Sequence, residues 1–207
     1  MSKVVRLHQF GGPEQLRIED LEVGDPGPGE ARVRIEAIGL NRSEMGFRQG
    51  AYGAPPELPA RMGYEAAGVL EALGPGVTGF EPGQRVSILP NFRMGQYGVY
   101  AEVALVPAHS LVAAPEGLSS AEAASVWMQF FTALAIIEVG HAGPGDFVAI
   151  PGSQGPWHSG INFRADTQQV DAKFCYHRSG SLAAGHDKLP DSVFDKMLGN
   201  RGEKSFT

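Results

Sequence analysis

Residues 30–40 read EARVRIEAIGL, with Ala31, Val33, Ile35 and Ala37 alternating against Arg32, Arg34 and Glu36. A period of two with one apolar and one charged side predicts a strand with one face in a core and the other in water. Working outward, LRIEDLEV (16–23), GYEAAGVLEALG (63–74), QRVSIL (84–89) and GVYAEVALV (98–106) follow the same pattern less strictly. GGPE (11–14), GDPGPGE (24–30) and GPGVTGFEPGQ (74–84) supply turns between them. Many short strands spaced by such turns predict a compact β-barrel-like domain.

At Leu118 the pattern changes. Ser119 and Glu122 make an S-x-x-E capping box, and AEAASVWMQFFTALAIIEV (121–139) is apolar nearly all round and stops at Gly140. One long helix, buried between layers, is expected there. AGPGD (142–146) is then a turn and DFVAI (146–150) a short buried strand, so helix, turn and strand open an α/β unit. After Ile150 neither period is clear; one short helix at 191–198 and otherwise weak order are expected.

Composition narrows the function classes. The chain has 207 residues, 43% of them hydrophobic and 19% charged, with a formal charge of −6, which suits a globular protein able to bury a core. Its 17 basic residues form no Lys/Arg run, so no nucleic-acid surface is expected. The single cysteine, Cys175, excludes an internal disulfide framework and a tetrathiolate zinc lobe. No apolar h-region opens the chain, and the stretch from Ala123 to Ile137 falls short of the roughly 20 residues that span a bilayer. The expectation is a mature N-terminus, no membrane partner and a cytoplasmic protein.

FGGPEQLRIEDLEV, GPGEARVRIEAIGLNRSEM, LPARMGYEAAGVLEALGPGVTGFEPGQRV and GVYAEVALVPA, in this order and spacing, resemble the N-terminal GroES-like domain of the medium-chain dehydrogenase/reductase superfamily. The likeness is to its zinc-independent, quinone-oxidoreductase-like branch and covers roughly residues 4–150. It implies a mixed β and α/β fold: a GroES-like β-barrel catalytic domain over 1–118, the first helix and strand of an incomplete Rossmann cofactor domain over 119–150, and an atypical, poorly ordered tail over 151–207. It also implies an NAD(P)H-dependent oxidoreductase, with NADPH or NADH bound between the two domains and hydride passed to a quinone, a carbonyl or an enone.

Zinc-dependent members of the superfamily hold a catalytic metal with an early cysteine, a histidine in a G-H-E segment, and a later cysteine or acid. The first two positions here are Asn41, in GLNRSE, and Tyr64, in MGYEAAG. An amide is a weak zinc ligand, and a phenol with a pKa of about 10 stays protonated at neutral pH. The four-cysteine structural loop is replaced by ILPNFRMGQYG (88–98). No zinc is expected.

Without a metal, charge developing on the substrate oxygen must be met by hydrogen-bond donors. The resemblance nominates Asn41, Tyr52 (in RQGAYGAPP) and Tyr64 as catalytic candidates. Each has a competing assignment: Asn41 caps the short helix RSEMGFRQ, Tyr52 only lines the pocket, and Tyr64 fills the space a metal would occupy. Glu65 is an acid or, on a strand, a structural hydrogen-bonding group. In the family a Q-x-x-T segment approaches the nicotinamide. Here it is Gln129 and Thr132, which share a helix face, or else both bond neighbouring backbone inside the core. Trp127, Phe130 and Phe131 are expected in the core and His141 in solvent. Cys175 and His177 are two ligands short of a zinc site.

The family's phosphate loop, A/G-x-x-G-x-x-G after the first strand, places Gly152 and Gly155 correctly but puts His158 third. Pro156 removes one of the N–H donors such a loop needs, and no apolar helix follows. Asp171 stands near the ribose-acid position with no second strand before it. Cofactor binding by this chain is therefore in question and its activity is expected to be impaired. The abrupt change suggests a frame shift, a retained intron or a truncation. The alternatives are a noncatalytic GroES-like module that binds a partner through the family's dimer surface, as in a homodimer, and an inactive truncated product.

Overall fold

The computed structural model describes residues 1–139, 157–164 and 171–178, without side-chain placement in the last two stretches or at 133 and 136–138. The chain divides into two compact units, Met1–Gln129 and Phe130–Thr207.

The first unit is built on strands β1 (Ser2–Leu7), β2 (Leu16–Leu21), β3 (Glu30–Gly39), β4 (Ala60–Arg61), β5 (Glu65–Leu73), β6 (Arg85–Ile88), β7 (Val103–Pro107) and β8 (Leu111–Ala113), with helix α1 (Arg42–Arg48) between β3 and β4. A five-stranded sheet runs β7-β3-β5-β6-β8 and a three-stranded one β2-β1-β4; all named pairs are antiparallel. The alternation of 30–40 is realised in β3, where Ala31 and Val33 are fully buried and Arg34 is exposed. The register with β5 is irregular at Arg32/Val33 and Ile35/Ala37, and Ile35 and Ala37 are only partly buried.

Two apolar clusters result. Val33, Leu70, Val86, Ile88, Val99 and Val106 fill the interior of the larger sheet. Leu7, Phe47, Ala60, Met62 and Met94 pack beneath α1, with Tyr64 at their edge. The turn into Tyr64 needs a glycine. Gly63 has φ +95°, and a Cβ there would lie 2.4 Å from the Tyr100 ring.

The single long helix expected after Leu118 is two helices. The Ser119–Glu122 capping box forms as expected and starts α2 (Ser120–Ala123), after which the chain breaks and restarts as α3 (Trp127–Glu138). The break has a tertiary cause. The Ser87 hydroxyl on β6 donates to the Ala123 carbonyl at 3.0 Å, and the Glu65 carboxylate on β5 accepts the Trp127 and Met128 N–H groups. Side chains distant in sequence thus satisfy backbone groups that a continuous helix would have paired internally. The expected burial is also corrected: Phe131, Leu134 and Val139 are 40%, 38% and 78% exposed.

In the second unit, β9 (Trp157–Arg164) and β10 (Asp171–Arg178) pair antiparallel, with His158 opposite His177 and Gly160 opposite Cys175. No strand is expected there from the sequence, although Trp157, Ser159, Ile161 and Phe163 do alternate with His158, Gly160, Asn162 and Arg164. The strand DFVAI, the helix at 191–198 and the loop glycines Gly152 and Gly155 lie outside the described residues. Among the described residues no helix is long and apolar enough to cross a membrane.

Candidate active site

β3 ends at Gly39, and the chain passes through exposed Leu40 to Asn41, the N-cap of α1. Asn41 has the extended backbone of a cap (φ −123°, ψ 146°) and shares a capping box with Glu44. The capping assignment weighed for Asn41 is therefore realised, and its amide does more. Nδ2 donates to Glu65 Oε2 at 3.2 Å.

Two buried carboxylates organise the residues around this cap. Glu44, 4% exposed, accepts the Asn41 N–H at 2.8 Å and the Tyr100 hydroxyl at 2.5 Å on one oxygen, and the Tyr64 N–H at 3.0 Å on the other. Glu65, 1% exposed, accepts the Trp127 and Met128 N–H groups at 2.6 and 3.0 Å besides the Asn41 amide. Burial pushes both carboxyls above their ordinary pKa, against the pull of these donors. For Glu44 the nearby charge of Glu65 adds to the rise. Tyr100 is pushed far up by burial and by its bond to Glu44, so it serves as a permanent donor.

Tyr64 is half-buried, its ring 5.8 Å from that of Phe92 in a tilted contact. Burial, then the neighbouring Tyr52 phenol, raises its pKa, so it remains a neutral O–H donor at physiological pH. Tyr52 is 45% exposed and packs beside Gly46 of α1. Glu44 ties the backbones of Asn41 and Tyr64 to one carboxylate.

Gln129 and Thr132 lie three apart on α3 and are exposed, not inside the core. Gln129 Nε2 donates to the Ser125 carbonyl one turn back, at 3.1 Å. Glu44 and Glu65 are the organising residues, and of the two roles open to Glu65, an acid or a structural hydrogen-bonding group on a strand, its bonds realise the second. Glu44 had a sequence signal, since N-R-S-E is a capping-box spacing. For the contacts of Glu65 the sequence held none.

Chemically, the buried carboxylates spend their lone pairs inward on protein donors, while Tyr64 supplies a neutral phenol and Tyr52 an exposed hydroxyl. Such a set can stabilise negative charge on an oxygen atom. Among the described residues no three His, Cys, Asp or Glu side chains converge as metal ligands do.

Residues 27–116 match the family model of the alcohol dehydrogenase GroES-like domain. The chain is 39% identical over 132 residues to a quinone oxidoreductase of Pseudomonas aeruginosa, covering 64% of this chain and 39% of that protein. It is 36% identical over 158 residues to a 2-haloacrylate reductase of Burkholderia sp., covering 72% and 45% respectively. The crystal structure of an Escherichia coli quinone oxidoreductase complexed with NADPH superposes with a TM-score of 0.61 at 27% identity, over 70% of this chain and 43% of that one. The chain spans less than half the length of these relatives. By its sheet topology and these similarities together, the chain belongs to the medium-chain dehydrogenase/reductase superfamily, in its quinone-oxidoreductase-like branch, and carries that family's GroES-like domain.

Proposed function

We propose that the chain is the substrate-side part of an NAD(P)H-dependent, zinc-independent oxidoreductase that transfers hydride to a quinone, a carbonyl or an enone. The observation that carries this is the way one buried carboxylate, Glu44, holds the backbones of Asn41 and Tyr64 together, so that an amide and a phenol are fixed on neighbouring elements. By the resemblance, Asn41 and Tyr64 occupy two positions where zinc-dependent members place metal ligands, and they offer hydrogen-bond donors there instead. The names of the relatives, quinone oxidoreductase and 2-haloacrylate reductase, support the substrate classes, and the NADPH complex supports the cofactor.

When bound, the nicotinamide supplies the hydride. In this assignment Tyr64 donates to the oxygen that gains charge, Tyr52 closes the pocket from the solvent side, and Asn41 orients substrate or nicotinamide. Gln129 and Thr132 hold the carboxamide, and Gly152 and Gly155 approach the pyrophosphate. The domain limits are 1–118, 119–150 and 151–207. Pro156 and the lack of α/β periodicity after Ile150 make turnover by this chain slow.

The test is a fluorescence titration with NADPH, followed by p-benzoquinone reduction monitored through NADPH absorbance. Weak but saturable binding with slow turnover is expected. A dissociation constant beyond about 1 mM would refute the assignment. The exposed Phe131, Leu134 and Val139 favour a competing role as a noncatalytic binding module. Light scattering separates the two, since assembly that is indifferent to NADPH, in a chain that does not bind it, supports the module.

A further inference from the structure

Glu65 is a buried carboxyl group, 1% exposed, that among the described residues is met by N–H donors and not by a cation. The groups that favour its charge are the Met128 and Trp127 N–H groups and the Asn41 amide, and the carboxylate at Glu44 is the neighbouring like charge. Those donors come from separate parts of the chain: Asn41 caps α1, Trp127 and Met128 open α3, and Glu65 itself opens β5. The fold makes room for the carboxylate. Gly39 lies opposite Glu65 in the β3–β5 register, and a Cβ there would stand 2.7 Å from Glu65 Oε2 and 2.2 Å from the Ala124 carbonyl. A helix restarted after a break needs acceptors for its first N–H groups, and a carboxylate is the strongest acceptor available, reinforced by the helix dipole. One of its oxygens takes the α3 amides and the other takes the Asn41 amide, so a single carboxylate joins the two helix starts.

We propose that Glu65 is a positioning residue that ties the N-cap of α1 to the first turn of α3 and so sets where Gln129 stands relative to Asn41. The roles of Asn41 and Gln129 rest on the function proposed above; the tether itself does not. Hydride transfer depends steeply on donor–acceptor geometry, so loosening the tether acts on the chemical step more than on cofactor capture.

Two measurements on the full chain test the proposal. Hydrogen exchange read by NMR at the Trp127 and Met128 amides should accelerate at least about tenfold in Glu65→Ala and less in Glu65→Gln, whose amide oxygen still accepts, with the β3–β5 amides unchanged. Equal exchange at those two amides in wild type and Glu65→Ala, with β3–β5 still protected, overturns the tether. In NADPH-dependent quinone reduction, Glu65→Gln should lower kcat about tenfold while the KM for NADPH stays within about twofold. A change confined to KM overturns the positioning role. Absence of NADPH turnover in every form counts against the proposed function alone, and the exchange measurement then decides the tether.

Discussion

Tyr100→Phe removes one hydroxyl and nothing else from the donor set around Glu44. That hydroxyl donates to the Glu44 carboxylate at 2.5 Å, and Glu44 is only 4% exposed, so water cannot replace the lost donor. The other donors, the Asn41 and Tyr64 N–H groups at 2.8 and 3.0 Å, remain. A hydrogen bond to a buried charged group contributes roughly 1.5–3 kcal/mol, so the variant should lose about 2 kcal/mol. For a chain of this size that lowers Tm by roughly 4–8 °C. The loss should also depend on pH, because Tyr100 lowers a carboxyl pKa that burial has raised. In the variant Glu44 protonates more readily, and once protonated it no longer needs a third donor. The difference between wild type and variant should therefore be large near about pH 7.5 and shrink toward about pH 5. Urea denaturation at both pH values reads this directly. A loss that is the same at both, or smaller than about 0.5 kcal/mol at the higher pH, would show that the bond does not hold a buried charge.

Other expected outcomes follow from the same geometry. Glu44 and Glu65 fold with pKa values above the ordinary 4.5, so the folded state binds more protons than the unfolded one just above that value. Stability from this source is full below the unfolded pKa and is lost as pH rises through the folded one, so the urea midpoint should climb as pH falls from neutral toward about 5; Glu65→Gln should flatten the climb. Below that range Glu19, Glu36 and Glu122, whose pKa values are lowered by their hydrogen bonds, should reverse the trend. Gly39→Ala would press a methyl against the Ala124 carbonyl and the Glu65 carboxylate; a loss of about 2 kcal/mol or more in urea denaturation is expected, and a neutral result would contradict the packing. Tyr64→Phe should lower kcat for quinone reduction by about 10- to 100-fold with little change in KM, and unchanged kcat would remove Tyr64 as the oxyanion donor.

Local patterns announced much of this fold. The alternation around Val33, the glycine- and proline-rich turns and the Ser119–Glu122 capping box are short-range signals, and each becomes the element it predicts. The break between α2 and α3 had no such signal, because Glu65 reaches the Trp127 amide from 62 residues away and Ser87 reaches the Ala123 carbonyl from 36. In the apolar run itself nothing interrupts the helical pattern, so propensity alone predicts one helix. The β9–β10 pair was missed because its alternation is carried by small and polar residues, such as Ser159 and Gly160, that weaken the period. At the site, Asn41 and Tyr64 stand out by the zinc-ligand positions they occupy, Glu44 by its capping-box spacing and Glu65 by its place on a strand, whereas the partners that Glu65 binds across the chain are visible only in the fold.

By itself the sequence determined the family, the strand-rich first unit, the capping residues at two helix starts and the amide and phenol at the zinc-ligand positions. All of these depend on residue type and near-neighbour spacing. The tertiary structure alone decided that two buried carboxylates bind those residues together, that the long apolar run breaks at Ala124, and that Gly39 must lack a side chain. These follow from long-range contacts in a space with no water, where every buried N–H and carboxylate must find its partner elsewhere in the chain.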